Sequence, residues 1–282
     1  MSTELEKGNH MEDVLRYEGT RAVVTGAASG MGAATATILA ALGAEVHGLD
    51  IRPCGGAVHG SHLVDLSDTD QIDAAVEAIG GPIDSLFNCA GLPTTAPDLA
   101  VMLVNFAGHR HLTEAVIPLL SDGAGIAFIS SVAGMGWVAN AARNLELVMT
   151  PGFDAARTWC EEHPEVIGGM GYSASKEAIN AYVAFRGFQL APSGVRLNSL
   201  NPGPTDTPMM PSFIESQGQE FFDNFPKPVG RNAHPDEQAW ALVLLNSPRN
   251  SYTTATSHFA DGGFTGGLFT GGIDPALLMP PE

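Results

Sequence analysis

The stretch AVVTGAASGMGAATATILAALGA, residues 22–44, decides the fold. It begins as a short apolar run, passes through the glycine-rich segment TGAASGMG at residues 25–32, and continues with small and apolar residues of helical character. A strand, a tight glycine turn and a helix in that order let the backbone approach a pyrophosphate at the helix N-terminus. The sequence therefore predicts a phosphate-binding turn built on Gly26, Gly30 and Gly32.

The next predicted strand, AEVHGLD at residues 44–50, ends in a carboxylate. Asp50 lies 20 positions after Gly30 (50 − 30). An acid at this place hydrogen-bonds the adenosine ribose and repels a 2′-phosphate, so the pattern favours NAD over NADP. Arg52 favours NADP instead, since an arginine at this place can accommodate the 2′-phosphate.

Strands and helices continue to alternate along the chain. The predicted elements are a strand over residues 62–65, a helix over 68–79, a strand over 83–88, a helix over about 98–120 and a strand over 126–129. Such alternation indicates an α/β fold with a doubly wound parallel sheet, whose ligand sites lie at the carboxyl ends of the strands. We expect a flexible leader over residues 1–18 and one domain over residues 19–282.

Composition narrows the function. The chain has 31 acidic and 13 basic residues and a formal charge of −18, which disfavours nucleic acid and anionic membranes as partners. Without a signal-like start or an apolar run of membrane-spanning length, we expect a cytoplasmic protein. Cys54, Cys89 and Cys160 form no CxxC pair, and the histidines lack metal-ligand spacing, so no metal site is expected.

The segment YSASK, residues 172–176, opens a helical run that continues to about Leu190. Side chains four apart share one helix face, so the Tyr172 hydroxyl and the Lys176 ammonium are predicted neighbours. An adjacent ammonium favours the phenolate and would lower the pKa of Tyr172, which suits proton exchange with an alcohol or a ketone.

Taken together, the chain resembles a short-chain dehydrogenase/reductase. The segments that carry the resemblance are TGAASGMG at 25–32, Asp65, NCAG at 88–91, Asn105, Ser131, YSASK at 172–176, NPGPTDTP at 201–208 and DGG at 261–263, in the family's order. The resemblance implies a single Rossmann-type domain of about seven strands with helices on both faces. It also implies NAD as the cofactor and a homo-oligomeric assembly.

The resemblance assigns roles residue by residue. It implies that Tyr172 is the general acid/base and that Lys176 binds the nicotinamide ribose and tunes the pKa of Tyr172. It also implies that Ser131 hydrogen-bonds the substrate oxygen and that Asn105 supports a proton relay. The cofactor-binding positions it implies are Gly26, Ser29, Gly30, Met31, Gly32, Asp50, Asp65, Leu66, Asn88, Ala90, Gly91, Tyr172, Lys176, Pro202, Gly203, Thr205 and Thr207.

Elementary chemistry agrees with the catalytic roles. Hydride transfer to a ketone builds negative charge on its oxygen, which hydroxyls from Ser131 and Tyr172 can stabilise while one of them donates a proton. We choose Ser131 over Ser130 because it directly precedes Val-Ala-Gly, the position that the family uses.

The chain departs from the family pattern in two places. Cys89 replaces the second asparagine of the usual NNAG motif. The interval from Ser131 to Tyr172 spans 41 positions (172 − 131), so residues from about 136 to 169 form an insertion. Its helical spacing breaks at Pro151-Gly152, which predicts a helix pair covering either the active-site side or an oligomer face. Because the insertion runs directly into the YSASK helix, we expect a dimer rather than a tetramer.

The segment over about 208–226 is rich in Met and Phe and lies where the family carries its substrate lid. Apolar lids suit bulky hydrophobic alcohols and ketones, although an ordinary packed helix pair fits the same pattern. Trp137 and Trp159 fit either a pocket wall or the core. The insertion makes the chain similar to bacterial 3α-hydroxysteroid dehydrogenase/carbonyl reductases. The alternatives are an aromatic or aliphatic alcohol dehydrogenase of the coniferyl alcohol type and a non-catalytic NAD(H)-binding redox sensor.

Overall fold

A seven-stranded parallel sheet forms the centre of the computed structural model, which describes residues 14–56 and 58–278. The strands are β1 (Arg21–Thr25), β2 (Glu45–Asp50), β3 (Gly60–Leu63), β4 (Ile83–Asn88), β5 (Leu120–Ile129), β6 (Arg196–Pro202) and β7 (Ser257–Ala260). They are ordered β3-β2-β1-β4-β5-β6-β7 and every neighbouring pair is parallel. This arrangement confirms the predicted single doubly wound sheet.

Helices pack on both faces of this sheet. They are α1 (Gly30–Ala41), α2 (Thr69–Ile79), α3 (Asp98–Met102), α4 (His109–Val116), α5 (Ala141–Val148), α6 (Gly152–Glu162), α7 (Pro164–Ile167), α8 (Gly171–Leu190), α9 (Met210–Gln217), α10 (Gln219–Asn224), α11 (Pro235–Asn246) and α12 (Phe264–Phe269). Successive strand residues point to opposite faces, so Leu86 enters the core shared with α2, α4 and α8, whereas Phe87 enters the core shared with α1 and α11.

The predicted helix over about 98–120 is interrupted. Between α3 and α4 the chain forms a π-helical segment, Leu103–Gly108, and β5 already begins at Leu120. Asn105 lies in the π-helical segment, where its side chain accepts from Leu92 N at 2.7 Å and donates to Leu92 O at 3.1 Å. These contacts depend on a distant loop, so helical spacing alone cannot reveal the π turn.

Two other boundaries shift. Strand β3 ends at Leu63, so Asp65 follows the strand instead of closing it. Of the predicted leader, residues 1–13 lie outside the described residues. Tyr17 is fully buried and donates its hydroxyl to Val243 O at 2.8 Å, so the packed domain begins before residue 19.

The insertion consists of α5 and α6 followed by the short α7, and α6 begins at Gly152 with a φ of +79°. The predicted helix pair and its break are thus confirmed. Arg110 of α4 is 4% exposed and holds this break: its guanidinium donates to the carbonyls of Leu147, Val148 and Thr150 at 3.1–3.3 Å and to the Gly152 carbonyl. A cation at the last carbonyls of α5 also matches the helix dipole.

A second connection links the insertion to α8. Glu177 is 8% exposed, and its carboxylate accepts hydrogen bonds from Asn140 at 3.0 Å, Arg143 at 2.8 Å and Asn144 at 3.1 Å. Three side chains that donate to one carboxylate, one of them the charged guanidinium of Arg143, fix α5 against α8. Within the described part of the chain, no helix is both long and apolar enough to cross a bilayer.

Candidate active site

The glycine turn between β1 and α1 has the geometry that its sequence predicts. Gly26 has a φ of +68°, and a Cβ there would lie 2.9 Å from the backbone of Ala90. A Cβ on Gly32 would overlap the carbonyl oxygen of Gly26, while Gly30 has a φ of +57°. Helix α1 begins at Gly30 without a side-chain cap at Ser29, so its first N–H groups are available to an anion.

A cleft of about 570 Å³ opens beside this turn. The residues predicted to bind the cofactor that line it are Gly26, Ser29, Gly30, Met31, Gly32, Asp50, Asp65, Leu66, Ala90, Gly91 and Thr207. The predicted residues outside its lining are Asn88, Pro202, Gly203, Thr205, Tyr172 and Lys176.

Asp50 both faces the cleft and holds the turn. Its carboxylate accepts from Ala28 N at 3.1 Å and from Arg52 N at 3.0 Å. The Arg52 guanidinium lies 3.8 Å from the same carboxylate and donates to the Ser29 hydroxyl at 2.9 Å. The acid and the arginine that sequence reasoning set against each other are therefore an ion pair.

Asn88 lies at the end of β4, outside the lining of the cleft. It is 1% exposed, donates from Nδ2 to the Thr113 hydroxyl at 3.2 Å and does not line the cleft. The adjacent turn is held instead by Thr25, whose hydroxyl oxygen accepts from Cys89 N at 2.9 Å and Ala90 N at 3.0 Å. Asn88 is therefore buried next to the turn, and the turn itself is held by Thr25.

A buried histidine, for which the sequence predicted no role in the site, connects this turn to Asn105. His109 Nε2 lies 2.9 Å from the Thr25 hydroxyl, and His109 Nδ1 lies 3.2 Å from the Asn105 carbonyl oxygen. Burial lowers the pKa of His109 to about 4, so the ring is neutral at pH 7. Because the carbonyl can only accept, Nδ1 carries the proton and the Thr25 hydroxyl donates to Nε2.

The predicted catalytic side chains converge where β5 ends against α8. Ser131 follows β5 and its hydroxyl oxygen accepts from Ala133 N at 3.1 Å. The Ser131 side chain also lies close enough to Tyr172 to lower the pKa of that phenol. Ser130 is 1% exposed and donates to the Lys176 carbonyl at 2.9 Å. Ser130 therefore ties the helix to the strand, and Ser131 is the serine that meets Tyr172.

Lys176 is 4% exposed, and its Nζ donates to the Ile129 carbonyl at 2.9 Å. Its Nζ also lies 5.4 Å from the centre of the Tyr172 ring. Burial lowers the pKa of Lys176 to about 8. Among the described residues the ammonium has this one acceptor for three N–H donors.

The expected lowering of the Tyr172 pKa is wrong for this structure. Burial raises the pKa of Tyr172 to about 12, against a smaller lowering by its hydrogen bond with Ser131. Spacing alone predicted the opposite direction because it placed an ammonium nearby but could not show how far the phenol is removed from water. The hydroxyl is therefore protonated at neutral pH, which is the form that donates a proton.

The segment predicted to form a lid, residues 208–226, contains α9 and α10, and α9 lies beside Tyr172. The Phe213 ring stands edge-on to Tyr172 with centroids 5.0 Å apart, and the hydroxyls of Thr94 and Ser216 are 2.5 Å apart. Trp159 is buried in the core and Trp137 packs against that core, so neither lines the described cleft. Among residues 14–56 and 58–278, no group of His, Cys, Asp or Glu could hold a metal ion.

This fold and site define an oxidoreductase of the Rossmann type, and comparisons with known proteins agree. The model described as short chain dehydrogenase matches residues 20–142, and the one described as enoyl-(acyl carrier protein) reductase matches residues 163–265. The interval between these matches falls in the insertion. The chain belongs to the short-chain dehydrogenase/reductase family.

Two curated relatives and one solved structure are similar to most of this chain. Coniferyl-alcohol dehydrogenase of Pseudomonas sp. is 32% identical over 88% of this chain and 98% of the relative. The 3-alpha-hydroxysteroid dehydrogenase/carbonyl reductase of Comamonas testosteroni is 34% identical over 86% of this chain and 95% of the relative. The structure of 3-alpha-hydroxysteroid dehydrogenase from Pseudomonas sp. B-0831 complexed with NADH superposes with a TM-score of 0.75, at 27% identity over 90% of this chain and 100% of that one. The protein is accordingly an oxidoreductase acting on alcohols, with a nicotinamide dinucleotide as cofactor.

The ionisation of Tyr172 can be measured in the cofactor-free protein. The difference in phenolate absorbance between the parent protein and Tyr172→Phe should stay flat through pH 10.0, the ordinary pKa, and rise only towards about 12. The sign follows from burial, which disfavours the charged phenolate. A difference signal that is complete by pH 8 would contradict the burial of this hydroxyl.

Proposed function

We propose that the protein interconverts a secondary alcohol and a ketone with NAD(H), on a bulky hydrophobic, steroid-like substrate. The observation that supports this most strongly is the meeting of the Ser131 and Tyr172 side chains at the end of β5, beside the buried ammonium of Lys176. Two hydroxyls next to a cation form a site for an oxygen atom that gains negative charge.

The residues beside the cleft fit a dinucleotide. The uncapped start of α1 offers N–H groups to a pyrophosphate, and the Asp50 carboxylate can accept from ribose hydroxyls. Lys176 retains N–H donors beyond the one that Ile129 uses, which suits the hydroxyls of a second ribose. When bound, the nicotinamide ring supplies or accepts the hydride.

The chain's own residues handle the proton. In the reducing direction, Tyr172 gives its hydroxyl proton to the substrate oxygen as the carbonyl carbon gains the hydride, and Ser131 donates a hydrogen bond to the same oxygen. In the oxidising direction, the Tyr172 phenolate takes the proton back. With its pKa raised to about 12, Tyr172 carries its proton at neutral pH.

The lid supports a large apolar substrate. Phe213 faces Tyr172 edge-on, Met209 lines the cleft, and Phe225 stacks on Phe264 with ring centroids 4.8 Å apart. An apolar, adaptable segment beside Tyr172 suits a bulky hydrophobic substrate. The similarity to a coniferyl-alcohol dehydrogenase supports a second candidate, an aromatic alcohol as substrate.

We also propose NAD over NADP and a cytoplasmic homodimer. Asp50 lies in the cleft with its carboxylate 9% exposed, where it would repel a 2′-phosphate.

The dimer is supported by the packing of the insertion. The insertion contributes Trp159 and Ile167 to the same core as Ala178 and Tyr182 of α8, so less of that helix is left for a partner. The free edge strand β7 carries Phe259 at 40% exposure and offers an alternative contact for a second copy.

Replacing Tyr172 by Phe keeps the ring and removes the proton donor. Turnover of any ketone should fall by about a hundredfold or more, the usual contribution of a general acid, with the affinity for NADH largely retained. Steady-state rates and NADH fluorescence titration measure the two effects. Near-parental turnover in the variant would refute the assigned role.

Replacing Asp50 by Asn removes the charge while an amide oxygen can still accept from Ala28 N. The ratio of kcat/KM for NADP to that for NAD should rise roughly tenfold or more, since a repulsion of about 1.4 kcal/mol corresponds to that factor. Asp50→Ala should shift the ratio the same way but with a lower unfolding temperature. A parent that already prefers NADP would overturn the assignment.

The dimer is tested by multi-angle light scattering of the purified full chain. We expect the mass of two chains of 29.4 kDa each. Phe259→Lys should shift this mass towards one chain, because a charge on an edge strand opposes pairing. A stable tetramer would contradict the proposal.

A further inference from the structure

The insertion reaches the cofactor cleft through one side chain. Arg157 of α6 lines the cleft together with Leu66 and Ser67, which follow β3, and with Val104 of the π-helical segment. The rest of the insertion packs on α3, α4, α8 and the π-helical segment. Arg157 is therefore its direct contact with the cleft.

Packing explains why Arg157 lies at the β3 end of the cleft. Phe153, one helical turn before Arg157, meets His111 edge-on with ring centroids 6.5 Å apart, and His111 Nε2 lies 2.8 Å from the Asp73 carboxylate of α2. The loop of Leu66 and Ser67 runs directly into α2. Gly108, at the end of the π-helical segment, packs directly against this loop, because a Cβ on Gly108 would overlap the Leu66 carbonyl oxygen.

The guanidinium of Arg157 is available to a ligand. The side chain is exposed, and its Cζ lies 5.6 Å from the centre of the Phe153 ring. Over the described ranges it has no carboxylate partner, whereas Arg52, the other arginine of the cleft, is paired with Asp50. The Phe153 contact orients Arg157 without consuming its N–H donors.

We infer that Arg157 stacks on the adenine ring of the bound dinucleotide, so that the insertion is part of the cofactor site. This inference rests on the proposed function, because that function requires a dinucleotide. The cleft runs from the ribose-binding carboxylate of Asp50 to the loop of Asp65 and Leu66, so the adenine occupies the end where Arg157 lies. A planar guanidinium stacks well on an aromatic face. In a chain of formal charge −18, this cation also offsets the repulsion of the anionic cofactor.

Arg157→Met tests the inference, because methionine keeps an unbranched stem and a good helix propensity but lacks the guanidinium. Calorimetric titration of the full chain should show Kd values for NADH and ADP-ribose raised about threefold to tenfold, with the Kd of nicotinamide mononucleotide unchanged. Arg231→Met, at an exposed arginine outside this cleft, is the matched control and should leave all three values unchanged.

Other outcomes separate this inference from the proposed function. If the parent binds NADH and Arg157→Met binds it equally well, the inference is wrong and the proposed function stands. A larger loss for NADPH than for NADH would place the guanidinium on the 2′-phosphate and overturn the adenine assignment. If the parent binds no dinucleotide, both fail together. Equal unfolding temperatures of parent and variant exclude a folding defect as the cause of weaker binding.

Discussion

The rest of the site depends on one hydrogen bond, from the buried Lys176 ammonium to the carbonyl of Ile129. Burying an ammonium costs several kcal/mol unless it is well solvated by the protein. Here the cation is fixed at the end of β5, and Ser130 adds a second bond from the strand to the Lys176 carbonyl. These two bonds hold α8 against the strand end, and they bring Tyr172 and Ser131 together. The position of Tyr172, the proposed proton donor, is therefore set by the sheet rather than by a loop.

The insertion adds a second layer of constraint to the same helix. Glu177, next to Lys176 on α8, is bonded by three side chains of α5 or its N-terminus, and Arg110 holds the turn between α5 and α6. The insertion is thus packed on the helix that carries Tyr172 and Lys176. Through Arg157 it also lines the cleft beside the glycine turn.

Local chemistry explains what the sequence could predict. The glycine turn, the carboxylate at Asp50 and the break at Pro151-Gly152 each require a residue type at a fixed spacing, and each lies where it was expected. The direction of the Tyr172 pKa was missed because burial depends on the distant lid and strand that cover it.

The remaining misses have the same origin in distant contacts. The π turn at Asn105 depends on hydrogen bonds with Leu92 of a distant loop. His109 carried no sequence signal beyond lying four residues after Asn105, which places it one turn along the same helical run. Spacing along the chain therefore predicted the helices, the strands and their motifs, whereas tertiary packing determined which polar groups are buried away from water.

The most direct test of the account is isotope transfer. Purified protein is incubated with a steroid ketone or an aromatic aldehyde and with a reduced nicotinamide dinucleotide that carries deuterium at its transferable position. The account predicts that the steroid alcohol forms with deuterium on its carbinol carbon, and that Tyr172→Phe forms almost none. Tight binding of the dinucleotide with no labelled alcohol from any ketone or aldehyde would contradict it and would favour a redox-sensing protein instead.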